Sequence, residues 1–169
     1  MNGFHVRPFH AGDSAALGRL FYDTIHAINA RDYSPAELAA WAPTVPAPDW
    51  IAGRAATRIV VVAEDASGLL GFAELRPNER HLDCLYARHD IQGRGVGTAL
   101  LHAIETEARA LGLTRLLTEA SLTARPFFER RGFRLIARQT VKRHGVKLVN
   151  FRMTKTLTAA NAAGPPFPH

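Results

Sequence analysis

Hydrophobic and polar positions along this chain change rhythm several times, and the changes mark its elements. FHVRPF reads as a short strand over Phe4–Phe9. Leu17, Leu20, Phe21, Thr24, Ile25 and Ile28 then recur at a helical spacing, which sets a helix from near Asp13. YSPAELAAWAP carries a complete start signal: Ser34 as N-cap, Pro35 at the first helical position and Glu37 closing a capping box. Pro43, Pro46 and Pro48 end that helix early, and a third short helix is expected at Asp49–Ala55. RIVVVAED is a β-branched run expected to be buried on both faces. A turn at Ser67-Gly68 returns it as LLGFAELR, and a second at Pro77-Asn78 leads into RHLDCLYAR, so these three strands form an antiparallel meander.

Val96, Ala99, Leu100, Ala103, Ile104, Ala108 and Leu111 mark the next helix, closed by Gly112. Because that helix intervenes, the strand TRLLTEAS runs parallel to the one before it. TARPFFERRGF reads as a short helix capped at Thr123 and stopped by Gly132. FRLIARQTVKR and VKLVNFRMTKTL form a terminal hairpin about His144-Gly145. The tail TAANAAGPPFPH, residues 158–169, is small and proline-rich and is expected to be disordered.

A chain of 169 residues, 47% hydrophobic, supports one core, so residues 1–157 read as a single domain. The formal charge of +6 calls for an anionic partner or simply a solvated face. Much of it gathers late, at Arg125, Arg130, Arg131, Arg134, Arg138, Lys142, Arg143 and Lys147. No zinc-finger, basic-zipper or aromatic RNA-binding signature accompanies it, which makes nucleic acid the minor reading. The lone Cys84 excludes an internal disulfide and a cysteine-based zinc site, and the expected compartment is the reducing cytoplasm. The amino terminus lacks the apolar core of a signal peptide, and the longest apolar run, Ile59–Ala63, is too short to span a bilayer.

The stretch DIQGRGVGTALLHAIETEA places Gly93, Gly95 and Gly97 where a helix begins. Unpaired amides and the helix dipole converge there on one point, and glycine lets phosphate oxygens approach them closely. A P-loop is excluded, since Thr98-Ala99 follow Gly97 where lysine and a hydroxyl residue would be required. A dinucleotide-binding turn, with Glu119 as the ribose-binding acid, is a weaker alternative, because its third glycine arrives one position early.

QGRGVG, Gln92–Gly97, resembles the Q/R-x-x-G-x-G/A pyrophosphate loop of the GCN5-related N-acetyltransferase (GNAT) superfamily. LYARHDIQGRGVGTALL is similar to that superfamily's fourth strand, loop and third helix, and SLTARPFFERRGF to its N-x-x-A-x-x-F-Y-E-x-x-G-F segment. With the element order, the resemblance spans roughly residues 4–157. It implies an α/β (α+β) fold: a mixed, mostly antiparallel sheet of about seven strands, helices on both faces, and a splay between strands four and five. It further implies acetyl-CoA as cosubstrate, with no metal. Gln92, Gly93, Arg94, Gly95, Val96, Gly97 and Thr98 would then hold the pyrophosphate, and Leu85, Tyr86 and Ala87 would flank the pantetheine arm. Ser121 stands at the motif's asparagine position, with Phe127 and Phe128 packing beside the arm. Phe128 occupies the place of the tyrosine usually invoked to protonate the departing thiolate, and phenylalanine has no proton to give.

An amine is mostly ammonium at neutral pH, so a base is expected. His81 and Asp83 are candidates, expected to alternate with Leu85 onto one face of their strand, and Glu74 on the neighbouring strand is a third. Tyr22, His26, Tyr33 and Trp41 are aromatic candidates for the acceptor side. The reading is therefore an N-acetyltransferase acting on a primary amine of a small molecule or protein, with no nucleic-acid or membrane partner expected and a homodimer left open. The alternative is a non-catalytic acyl-CoA-binding sensor.

Overall fold

The computed structural model of the chain describes residues 3–159. Most of the tail expected to be disordered, from residue 160 onward, lies outside them. Strand β1 (His5–Pro8) leads through a 3-10 turn into helix α1 (Ser14–Ile28), and α2 (Pro35–Trp41) follows. The capping box forms as the sequence indicates: the Glu37 amide donates to Ser34 Oγ, and the Glu37 carboxylate accepts from the Ser34 amide at 2.7 Å.

The meander comprises β2 (Ile59–Asp65), β3 (Gly68–Arg76) and β4 (His81–Ala87). Helix α3 (Val96–Ala110), β5 (Arg115–Ser121), α4 (Arg125–Glu129), β6 (Arg134–Arg143) and β7 (Val146–Thr156) complete the chain. All seven strands join one sheet in the order β1-β2-β3-β4-β5-β7-β6, antiparallel except where β4 meets β5. Among the described residues, no helix is long and apolar enough to cross a membrane.

The β-branched run of β2 is buried on both faces, as its composition suggests. Val60 and Val62 pack with Leu17 and Leu20 of α1, whereas Val61 and Ala63 pack with Leu100 and Ile104 of α3. A further cluster joins Ile25 of α1, Leu38 of α2 and Leu148 of β7, so α1 and α2 cover one face of the sheet and α3 the other.

Three local expectations give way. Residues 49–55 form hydrogen-bonded turns ending in a 3-10 turn at Ala55–Thr57, not a helix. Gly53, a poor helix former, bonds back to Asp49 O, but the Arg54 amide shortens its step to Ile51 O and the chain unwinds. Helix α4 is not capped by Thr123; Ser121 Oγ accepts from the amide of its N-cap Ala124 at 3.0 Å instead. Leu111 lies 48% exposed, since α3 has ended at Ala110 and the chain leaves through Gly112 at φ +74°.

The sheet also depends on Gly71, which the hydrophobic pattern leaves unmarked. A Cβ there would stand 2.6 Å from Tyr86 O and 3.1 Å from both Ala87 Cα and a Leu100 methyl, so β3, β4 and α3 meet only over a bare backbone. Gly71→Ala is expected to cost about 1–3 kcal/mol as overpacking and to lower the melting temperature by roughly 2–4 °C per kcal/mol. Calorimetry checks this; an unchanged melting temperature would mean that β4 can move off β3 freely.

Candidate active site

The site begins with a strand that changes face. In the β3–β4 ladder Glu74 opposes Cys84 and Leu75 opposes Leu82, so Asp83 is an extra, bulged residue of β4. Leu82 accordingly packs in the α3-side core and Cys84 in the α1-side core, although a regular strand would send both the same way. The expected alternation of His81, Asp83 and Leu85 onto one face fails for this reason. Leu85 packs on the α3 side, while His81 and Asp83 open onto a cavity beside α2.

Pairing between β4 and β5 also ends at this point. Only His81–Leu117 and Leu82–Thr118 are in register, and Thr118 Oγ1 donates to Leu82 O at 3.0 Å as the last tie. Beyond it each strand keeps only its outer neighbour, β4 through Gly71–Ala87 and β5 through Ser121–Asn150. A cavity of about 460 Å³ occupies the opening, lined by Leu85, Tyr86 and Ala87 on one side and Glu119, Ala120 and Ser121 on the other.

The glycine loop roofs that cavity. Gly95 is the N-cap of α3 at φ +83°, and Gly93 stands at φ +81°, left-handed conformations that favour glycine. Gly97 serves differently: a Cβ would come within 3.3 Å of the Phe127 ring. The Gln92 side chain donates to Ala87 O at 2.9 Å and Arg88 O at 3.1 Å, tying the loop to the end of β4. Val96 is buried in the core, and Arg94 leans toward Asp65 at 3.6 Å.

One cation was missed because its position lies 33 residues beyond the loop. Arg131 Nε donates to Thr98 Oγ1 at 3.0 Å, and its guanidinium lies 4.3 Å over the Phe127 ring. A guanidinium, the free amides and the positive end of a helix thus share one corner, an arrangement that an anion stabilises. Arg130 lines the same cavity. The crossover had left both arginines looking like part of a solvated surface.

Phe128 is 4% exposed, packed edge-on against Phe127 and Phe133, and brings no hydroxyl to the cavity. Ser121 Oγ accepts from Ala124 N and, at 3.4 Å, from Asn29 Nδ2, leaving its O–H as a donor. Among the aromatic candidates, Tyr33 is structural: its hydroxyl donates to Val149 O at 2.6 Å and accepts from Leu122 N at 2.9 Å. His26 bonds Ala42 O at 2.8 Å and stacks beside Tyr22. Trp41 lines the cavity, as does Tyr86, whose phenol is pushed well above its usual range by burial.

The candidate bases differ sharply in access. Glu74 is fully buried; Arg54 donates to Oε2 at 2.9 Å, Arg58 to Oε1, and neither cavity includes it. Asp83 is partly exposed and lines both cavities, held by Arg58 at 2.8 Å and Arg76 at 3.4 Å. Glu74, Asp83 and Cys84 offer metal-ligating atoms within 4.8 Å of one another, but the guanidiniums of Arg54 and Arg58 already bond there. Arg76 also reaches His81 Nδ1 at 3.2 Å; an arginine can only donate, so the neutral ring carries its proton on Nε2. Burial first, then Arg76, lowers the His81 pKa below 6.5. Burial and the neighbouring carboxylates push the Cys84 thiol far up.

A family model described as "Acetyltransferase (GNAT) domain" matches residues 29–155. The chain is 31% identical over 154 residues to the uncharacterized N-acetyltransferase YafP of Escherichia coli (strain K12), covering 90% of this chain and 96% of that one. A crystal structure from Rhodopseudomonas palustris, described as a GCN5-related N-acetyltransferase, aminotransferase class-II, superposes with a TM-score of 0.84 at 35% identity, covering 90% and 95% of the two chains. The PaiA N-acetyltransferase from Thermoplasma acidophilum, solved in complex with coenzyme A, shares the fold at a TM-score of 0.74 and 17% identity, over 90% and 98%.

The His81 environment sets a pH dependence of stability. Above about pH 6.5 the imidazole is neutral both folded and unfolded. On acidification the unfolded chain takes up the proton first, so stability is full above pH 6.5 and is lost as pH falls toward the lower folded value. His81→Gln is expected to lose less stability than the parent between pH 7 and pH 5 in urea titrations. Parallel losses would show that the ring is not shielded.

Proposed function

The chain belongs to the GNAT acetyltransferase family and is an acetyl-CoA-dependent N-acetyltransferase with an amine acceptor, and we propose how its own residues perform the transfer. Acetyl-CoA, when bound, supplies the acetyl group as a thioester. The backbone amides from Gln92 to Thr98, at the start of α3, hold the diphosphate, with Arg94 and Arg131 adding positive charge. Support comes from the left-handed glycines, from Gly97 closing against Phe127, and from Arg131, which has no carboxylate partner among the described residues. Leu85, Tyr86 and Ala87, opposite Glu119–Ser121, flank the arm through backbone groups that have no strand partner across the gap. Ser121 offers its hydroxyl and Phe127 its ring.

Of the three candidate bases, Asp83 is the one placed where both cavities meet, and geometry precedes basicity in choosing among them. Arg58 and Arg76 engage one lone pair on each of its oxygens and leave others free. Asp83 takes the proton from the acceptor ammonium, directly or through water, so that the nitrogen lone pair forms the C–N bond as the C–S bond breaks. His81 and Glu74 act as positioning residues, His81 through Arg76 and Glu74 through Arg58. With phenylalanine at position 128 the sulfur leaves as thiolate, which the acidity of a thiol permits, and the proton that the amide nitrogen then sheds neutralises it through solvent. A cytoplasmic setting belongs to the same proposal, supported by a lone thiol that takes no part in a disulfide.

The observation that carries this reading is the end of β4–β5 pairing directly beneath a glycine loop at a helix start. Gly95→Glu sets bulk and negative charge into the anion corner, and calorimetric titration is expected to show acetyl-CoA binding lost while circular dichroism stays native; tight binding by the folded variant would remove the loop assignment. Asp83→Asn is expected to lower kcat by about 10²–10⁴-fold and change its pH profile with acetyl-CoA affinity nearly intact. An unchanged rate would take the base role from Asp83. Binding without thiol release from any amine would favour the sensor alternative.

A further inference from the structure

A second cavity, about 90 Å³, opens beside the first and shares Trp41, Asp83, Tyr86, Glu119 and Ser121 with it. Its lining carries charges of both signs. Glu119, an exposed residue just past the last β4–β5 pair, lines both cavities. Arg143, at the end of β6, lines only the smaller cavity. Neither has an ion-pair or hydrogen-bond partner among the described residues. The contrast with Asp83, clamped by two arginines in the same wall, is direct. Arg152 opposes Glu119 in the β5–β7 ladder but forms no ion pair with it and does not line the cavity.

A third group points the same way. Asn150, across from Ser121 on one side and Gln139 on the other, lines the cavity with a buried Oδ1 that has no hydrogen-bond partner among the described residues. A buried acceptor without a donor is costly unless a ligand supplies one. An ammonium group does so while meeting the Glu119 carboxylate. Tyr86 and Trp41 also line the cavity, which suits a short carbon skeleton more than a long polar chain.

Resting on the acetyl-transfer reading above, we propose that this cavity is the acceptor subsite. It selects a small zwitterion, an amine that also bears a carboxylate or similar anion, as in a free amino acid. Glu119 and Asn150 receive the ammonium, and Arg143 receives the anion. A protein amino group or a polyamine presents no such anion to Arg143 and leaves its charge unmatched.

The test measures thiol release from acetyl-CoA by the full chain with three kinds of amine: free amino acids, the matching amino acid amides, and spermidine with a lysine peptide. The free acids are expected to exceed their amides at least tenfold in kcat/KM. Arg143→Gln is expected to bring the two level, mainly through KM, and Glu119→Gln to raise KM for acids and amides alike. Circular dichroism of both variants verifies that they fold. Amides, spermidine or the peptide outpacing the free acids overturns the proposal while leaving acetyl transfer standing, as does a preference that survives Arg143→Gln. No release with any amine, or no acetyl-CoA binding by calorimetry, brings down both.

Discussion

Two parallel strands that share only two residue pairs and then part are the constraint from which the site follows. A sheet edge inside a domain ordinarily has to be covered, because unpaired backbone groups are costly away from water. Here the edges are kept apart by what each strand does on its other side. Strand β4 is locked to β3 as far as Ala87 over the bare backbone of Gly71, and β5 is locked to β7 as far as Asn150. The gap is therefore a property of the ladder register, present before any ligand arrives, and the loop that closes it is stitched to β4 through Gln92. On the proposed reading, both the grip on an anion and the aim of the attached arm are pre-organised by strand pairing.

The bulge at Asp83 is what brings charged chemistry to this gap. It turns His81, Asp83 and Cys84 toward the α1 and α2 side, where Glu74 is enclosed between Arg54 and Arg58. Burying a carboxylate completely is tolerable only with close counter-charges, and removing one partner of such a group is worth about 3–5 kcal/mol of destabilisation. The network spends little on stability that an apolar cluster could not match. Its contribution is geometric, since the same Arg58 that neutralises Glu74 also holds Asp83 at the cavity junction.

The sequence was legible where local chemistry decides. Ser34, Pro35 and Glu37 announce a helix start, and the Val60–Val62 run a doubly buried strand. The glycine loop, two motifs in correct order and the chain's meander pointed to the family and to a splayed sheet. What stayed hidden was set by tertiary pairing. Nothing in HLDCL distinguishes a bulge from plain alternation, so Leu85 was assigned to the wrong face. Arg131 reaches Thr98 only because a whole crossover folds back, and Ser121 rather than Thr123 takes the amide of the α4 N-cap Ala124. Glu119, whose position in the sequence suits a ribose-binding acid, gains its place at the gap from the β5 register alone.

Cys84 has a bearing on how this protein survives its own cosubstrate. Thioesters exchange readily with thiolates, and a reactive cysteine a few residues from the opening would drain the acyl donor into self-modification. Burial beside Glu74 and Asp83 keeps this sulfur protonated and out of reach. The two carboxylates beside it thereby also passivate the chain's single thiol, so the packing of this network doubles as protection against autoacylation.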